Sequence, residues 1–220
     1  MTGLGPAIRR LMSPDIERKA AAMYRAVFVD LEKVAKILAQ HLPKGAKLLD
    51  IGGGDGELLN YLLDRRPDAT VSMVDVAESV GKFITPTNRP RVAFYPRTPI
   101  EAHTDGLHPR YDAALVSDVV HHLPVDYRAS FLNSVHSAIV PGGPMFIKDI
   151  EPGHPIASLS LFCDKYVSGD RGVELISMDA LCALGAGELP RHVATEIGLY
   201  SIDRPNYMLK LDFANSPGAS

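Results

Sequence analysis

Between residues 47 and 59 an apolar run, Lys47-Leu48-Leu49-Asp50-Ile51, breaks into Gly52-Gly53-Gly54-Asp55-Gly56 and resumes as Glu57-Leu58-Leu59. The pattern predicts a strand, a tight turn and an amphipathic helix. Glycine at 52, 54 and 56 lets backbone approach a ligand with no Cβ in the way, and the turn presents N–H groups at the start of the following helix. The spacing D-x-G-x-G-x-G departs from the dinucleotide fingerprint G-x-G-x-x-G, because Glu57 stands where that fingerprint has its last glycine.

The rest of the chain continues the alternation that this segment begins. Ser13-Pro14-Asp15 reads as an N-cap followed by proline in the first helical turn, and Met23, Val27, Leu31, Val34, Ile37 and Leu38 then recur at helical spacing. A long helix is expected from there to Pro43-Lys44-Gly45. Strands are expected near 47–51, 70–75, 91–96, 112–117 and 144–150, with helices near 56–65, 77–84, 125–140 and 155–167. Alternation at this pitch implies a parallel sheet covered on both faces, with right-handed crossovers. The runs 191–201 and 206–213 flank the short turn Asp203-Arg204-Pro205 and read as adjacent strands, one antiparallel to the others. The expectation is a doubly wound α/β fold: a mostly parallel, seven-stranded, Rossmann-like sheet with a reversed C-terminal strand.

Composition supports one core and excludes some partners. A chain of 220 residues, 46% of them hydrophobic, can bury a substantial interior. A net charge of −3 and the lack of any Lys/Arg run longer than a pair argue against a nucleic-acid surface. Neither a signal-peptide pattern nor a run of about 18 apolar residues is present, so a cytoplasmic protein without a membrane segment is expected. Cys163 and Cys182 form no Cys-x-x-Cys pair, so buried thiols are expected in place of a disulfide or a metal site. The tail 215–220 is expected to be mobile.

Ligands of open α/β sheets bind outside the carboxyl ends of the strands, and four such places carry informative residues. The first is the glycine turn after Asp50. The second is Asp75, whose carboxylate suits a ribose diol or, with Val76-Ala77-Glu78 behind it, a helix N-cap. The third is Ser117-Asp118-Val119-Val120-His121-His122-Leu123-Pro124, a polar turn with two histidines after a buried strand. The fourth is Val140-Pro141-Gly142-Gly143, a helix end and glycine turn that feed the strand ending in Lys148-Asp149. His154 follows that strand on the same edge and reads as a base candidate or a helix-start residue.

Over residues 45–150 these segments resemble the class I S-adenosylmethionine-dependent methyltransferases: the glycine turn as their first motif, the histidine turn as the motif after the fourth strand, and Pro-Gly-Gly before the fifth. The resemblance implies S-adenosylmethionine as cofactor and S-adenosylhomocysteine as product. It places the cofactor against Asp50, Gly52, Gly54, Asp75, Val76, Thr98, Pro99, Ser117 and Asp118, with Asp75 on the ribose. Tyr95-Pro96-Arg97-Thr98-Pro99-Ile100 lacks the acid that relatives often hold near the adenine amine, so apolar contact from Pro99 or Ile100 is expected instead. His121 matches the catalytic histidine of plant-type and natural-product O-methyltransferases. His122 stands where that group has an acid, and no counterpart of those enzymes' large amino-terminal dimerisation domain is expected in residues 1–44. His121 or His122 as general base, and a histidine bonded at the pocket wall, are both open on the sequence.

The implied activity is methylation of a small molecule at oxygen, with residues 45–214 as the cofactor-binding domain and 1–44 as a helical lid bearing Tyr24, Arg25 and Phe28. The polar stretch 164–174 is a second lid candidate, or a solvated loop. A homodimer is compatible with the resemblance. No metal, nucleic-acid or membrane partner is expected. A methyltransferase fold put to use as a cyclase or a ligand binder, and a nicotinamide-dependent oxidoreductase, are the alternatives.

Overall fold

A computed structural model describes residues 29–105, 110–155, 157–158, 172–197 and 205–214. Its frame is a seven-stranded sheet of order β3-β2-β1-β4-β5-β7-β6. The strands are β1 (Lys47–Ile51), β2 (Thr70–Val74), β3 (Val92–Tyr95), β4 (Ala113–Ser117), β5 (Pro144–Ile150), β6 (His192–Glu196) and β7 (Asn206–Phe213). Strands β1 to β5 run parallel, and β7 lies antiparallel between β5 and β6. The expected architecture, including the reversed C-terminal strand, is therefore present.

Alternation along the central strands divides the interior into two layers, because successive side chains leave opposite faces of the sheet. Leu48 of β1, Met73 of β2, Leu115 of β4 and Phe146 of β5 pack under α1 (Leu31–His41) and α2 (Glu57–Arg65). On the other face, Leu49, Ile51, Val116, Met145 and Ile147 pack with Phe131, Leu132 and Leu181 from α4 (Arg128–Ser137) and α5 (Met178–Glu188). Burial on both faces is why these strands read as unbroken apolar runs. Among the described residues, no helix is long and apolar enough to cross a membrane.

The helix expected from residue 13 onward is described only at its end. There Asp30 caps α1, its carboxylate accepting from the Lys33 N–H at 3.0 Å, so α1 starts at Leu31. Val34, Ala35 and Leu38 are wholly buried against the sheet. Residues 1–28, with Tyr24, Arg25 and Phe28, lie outside the described residues. So do Cys163, most of the helix expected at 155–167, and 164–171 of the second lid candidate.

The helix expected at 77–84 does not form. Its backbone N–H groups are committed elsewhere: Gly81 donates to the Gly54 carbonyl and Phe83 to the Asp55 carbonyl, both at 2.9 Å. Asn60 fixes the same segment, its amide donating to the Phe83 carbonyl at 2.8 Å and its oxygen accepting from the Thr85 N–H at 3.0 Å. Gly81 adopts φ +62°, and a Cβ there would lie 2.2 Å from the Phe94 ring. Tertiary bonds to the glycine turn thus outcompete a short helix whose sequence contains glycine. The crossover from β3 to β4 contains instead the five-residue α3 (Ile100–Thr104).

Candidate functional site

The glycine turn, Asp75 and the histidine turn meet at the carboxyl edge of β1, β2 and β4. Gly52, Gly54 and Gly56 have φ of +74°, +54° and +84°, the left-handed region that side chains disfavour. At Gly52 space is equally restrictive, since a Cβ would fall 2.1 Å from Val119 Cγ2 of the histidine turn. Gly53, which the motif spacing leaves unassigned, has an ordinary φ and a different constraint. A Cβ on it would lie 1.9 Å from Asp50 Oδ2.

That carboxyl is the most unusual group in the site. Asp50 is 1% exposed, and neither of its oxygens has a hydrogen-bond partner. Burial, aided by the charge of Asp75, pushes it up to about 7. Leaving a buried polar atom unpaired costs on the order of 1–3 kcal/mol, so such groups in folded proteins call for an explanation.

Asp75 is half-buried at the end of β2 and binds the turn directly. Its Oδ2 accepts from the Gly54 N–H at 3.3 Å and its Oδ1 from the Ala77 N–H at 2.9 Å. No helix follows, so the capping alternative becomes a local turn (i to i+2) and leaves the carboxylate at the site's rim. The next loop is tied alongside, with the Thr98 N–H donating to the Asp75 carbonyl at 3.0 Å and the Arg97 N–H to the Ala77 carbonyl at 3.0 Å. Val76 between them is 73% exposed and Pro99 is exposed, whereas Ile100 is in the core. Of the apolar residues expected near an adenine, Pro99 is thus available together with Val76, and Ile100 is not.

Two buried side-chain pairs, Asp118 with Lys148 and His121 with Asp149, stand at the ends of β4 and β5, on opposite faces of the sheet. Asp118 has φ +56°, a strained conformation that aspartate tolerates better than most residues. It places both carboxylate oxygens 2.6 Å from Nζ of Lys148, a lysine only 2% exposed. Burial alone would push Asp118 up, but Lys148 and His121 outweigh it and hold the carboxyl below its ordinary value. Ser117, paired in register with Lys148, is buried beside it with its hydroxyl 3.3 Å from Asp118 Oδ2.

On the other face, His121 lies in a short 3-10 turn (Val120–His122) and is 2% exposed. Its Nδ1 is 2.5 Å from Oδ1 of Asp149, which is 0% exposed and also accepts from the Ile150 N–H at 2.8 Å. The His121 N–H donates to Asp149 Oδ2 at 3.3 Å. The Glu174 N–H donates to the His121 carbonyl at 2.9 Å, and Arg128 links Leu123 to Glu174 through their carbonyls at 3.2 and 2.7 Å. Tyr207 underlies the pair, its hydroxyl donating to the Ile176 carbonyl at 3.0 Å, and burial raises its phenol strongly. The His122 ring centroid is 4.1 Å from that of His121.

Asp50, Gly52, Gly54, Asp75, Val76, Thr98, Pro99, Ser117, Asp118, His121 and His122 therefore gather along one sheet edge. Lys148 and Asp149 complete the site and were not singled out by the sequence. The signal available for them was two charged residues at the end of an apolar strand. His154 begins the next helical segment, accepting from the Ser158 N–H at 3.1 Å, as a helix-start residue does.

The site suits a cationic nucleoside. Glycines admit the ligand, Asp75 offers a diol acceptor, Val76 and Pro99 offer apolar surface, and acids outnumber the one lysine, which is already paired. Among the described residues, no cluster of metal-ligating side chains occurs.

Residues 49–145 match a family model described as a methyltransferase domain. No curated protein matches the sequence. Among solved structures, the chain is similar to an O-methyltransferase family protein from Burkholderia thailandensis, at 17% identity and a TM-score of 0.62, covering 89% of this chain and 58% of that one. A second is the 1,6-didemethyltoxoflavin N1-methyltransferase of the same organism, solved with 1,6-didemethyltoxoflavin and S-adenosylhomocysteine bound, at 22% identity, a TM-score of 0.63 and coverage of 84% and 78%. The CurJ carbon methyltransferase is similar at 13% identity, with a TM-score of 0.68 and coverage of 89% and 58%. This chain thus spans little more than half the length of two of these three.

Proposed function

We propose that this chain is a class I S-adenosylmethionine-dependent methyltransferase and that it methylates a hydroxyl of a small, natural-product-like acceptor in the cytoplasm. The observation that carries this reading is the buried His121–Asp149 pair beside the glycine turn. Neighbours that methylate oxygen, nitrogen and carbon share the fold, so the choice of oxygen rests on that pair.

S-adenosylmethionine supplies a methyl group on a sulfonium, an electrophile that needs no further activation. The protein's part is to hold a nucleophile in line with it and to remove the nucleophile's proton. Asp75 and the glycine turn would anchor the cofactor, and Val76 and Pro99 would offer apolar surface to its base. With Nδ1–H donated to Asp149, a neutral His121 carries its lone pair on Nε2, the arrangement a base requires. Asp149 also stabilises the imidazolium formed when the acceptor's proton is taken. His121 is a better base than His122 because its ring is oriented by a buried carboxylate.

The test is a labelled-methyl transfer assay against a panel of phenols, aliphatic alcohols and amines, with thermal shift as a companion. Transfer to a hydroxyl is expected. S-adenosylmethionine and S-adenosylhomocysteine should raise Tm by mass action where NAD and NADP do not. Transfer to amines alone would overturn the oxygen assignment, and stabilisation by the dinucleotides alone would overturn the cofactor.

A further inference from the structure

We propose that the Asp50 carboxyl senses the charge of the cofactor, giving up a proton when cationic S-adenosylmethionine binds and keeping it when neutral S-adenosylhomocysteine binds. The inference rests on the cofactor reading above and extends it to how the site tells substrate from product. The two ligands differ by one methyl and by the positive charge on sulfur, so shape alone separates them weakly. A carboxyl that can switch its own charge separates them by electrostatics.

Geometry singles out Asp50. It ends β1 directly beneath the glycine turn, in contact with Gly53, and both of its oxygens are buried without a partner. Asp149, equally buried at the end of β5, has all its bonds made, so lack of partners is not a general property of strand ends in this sheet. The charged groups around Asp50 are mostly acids. Asp75 stands at the end of neighbouring β2, and Asp55 and Glu57 lie in the turn, where one Glu57 oxygen is also buried without a partner. Among the described residues, Lys148 stands two strands away on β5 on the same sheet face and is held by Asp118, and Lys82 lies in the segment bonded to the glycine turn, over the Phe83 ring. A buried acid among acids binds a proton until a cation arrives, and Asp50 is accordingly raised to about 7.

The coupling has a definite sign. Near neutral pH the unliganded protein carries a partly protonated Asp50, and a sulfonium above the turn favours the ionised form. S-adenosylmethionine binding therefore releases a fraction of a proton to the buffer near neutral pH. S-adenosylhomocysteine lacks the sulfonium and brings only the amino-acid charges that both ligands share, so its binding releases less. Affinity for S-adenosylmethionine relative to S-adenosylhomocysteine should consequently rise between pH 6 and pH 8. Transfer of the methyl group would thus be followed by proton uptake at Asp50, easing exchange of the spent cofactor.

The experiment is titration calorimetry of the full chain with each ligand at pH 7, in two buffers of different ionisation enthalpy. The expected result is proton release on S-adenosylmethionine binding that exceeds release on S-adenosylhomocysteine binding, with the difference abolished in Asp50→Asn. Equal proton counts for the two ligands would overturn the proposal. So would a difference that persists in Asp50→Asn, which would belong to the cofactor's own amino group. If the variant does not fold, infrared difference spectra of the wild-type protein with labelled aspartate decide the matter. A protonated-carboxyl band should be lost with S-adenosylmethionine and retained with S-adenosylhomocysteine, and its retention with both would overturn the proposal. Absence of binding heat for either ligand would instead defeat the cofactor reading itself.

Discussion

Asp50 and Asp149 occupy equivalent places in the fold, each buried at the carboxyl end of a central strand, yet their surroundings differ completely. Asp149 accepts from the His121 ring, the His121 N–H and the Ile150 N–H. Asp50 accepts nothing. A buried charge with all its bonds made is a finished piece of machinery, able to orient a neighbour without rearranging. A buried carboxyl with none stores an unfavourable interaction that a ligand can relieve. The histidine side of the edge is thus prearranged for chemistry, and the glycine side is prearranged for binding.

The sharpest way to break this division is at the histidine. Replacing His121 with Ala or Asn should lower turnover by about 10²–10⁴-fold while leaving the Kd for S-adenosylhomocysteine nearly unchanged. Asp149→Asn should lower turnover in the same direction by weakening the orientation of the ring. Steady-state kinetics paired with calorimetry make the check. If affinity for the cofactor falls as far as turnover does, His121 belongs to the pocket wall and the two halves are not separate.

On the binding side the expected effect is smaller and appears in the other parameter. Asp75 already holds Gly54 and Ala77, and a charge-assisted bond to a ribose hydroxyl is worth about 1.5–3 kcal/mol. Asp75→Ala should therefore weaken cofactor binding at least about tenfold, since roughly 1.4 kcal/mol is one factor of ten. Unchanged affinity in a folded variant would reduce Asp75 to a turn residue.

How much of this comparison was legible in the sequence follows from the range of the interactions. The β1–turn–α2 unit lies within 19 consecutive residues, and its glycines and apolar period announce it directly. The parallel strands and the reversed C-terminal strand follow from the alternation and from the short Asp203-Arg204-Pro205 turn, whereas the order of strands across the sheet is set by contacts that no local pattern encodes. The missing helix at 77–84 was not legible, because its N–H groups are claimed by Gly54 and Asp55, contacts no local propensity encodes. Asp149 was hidden for the same reason, being 28 residues from the histidine that it orients. Gly53 shows the limit from the other direction. Its spacing has no motif meaning, and its constraint exists only because Asp50 turns its carboxyl toward it.

The smallest expected effect is on stability, and it tests the unpartnered carboxyl with no ligand present. Asp50 is raised from 3.8 to about 7 by burial and by Asp75, so the folded protein binds a proton there that the unfolded chain has lost. That contribution is fully present below the unfolded pKa and disappears as pH rises through the folded one. The wild-type protein should therefore lose stability between about pH 4 and pH 8 at this site, with most of the loss complete by pH 8. Asp50→Asn cannot ionise and escapes it. Relative to wild type, the ligand-free variant should gain at least about 1 kcal/mol at pH 8 over its standing at pH 5, which for a chain of this size is a shift of about 2–4 °C in Tm. Asp149→Asn should instead lose stability at both pH values, because it leaves the donors that its carboxylate accepts from unpaired. Thermal melts of both variants at the two pH values make the measurement. Parallel behaviour of the pair would mean that partners, present or absent, do not distinguish these two aspartates, and the contrast between the binding side and the chemical side would fall with it.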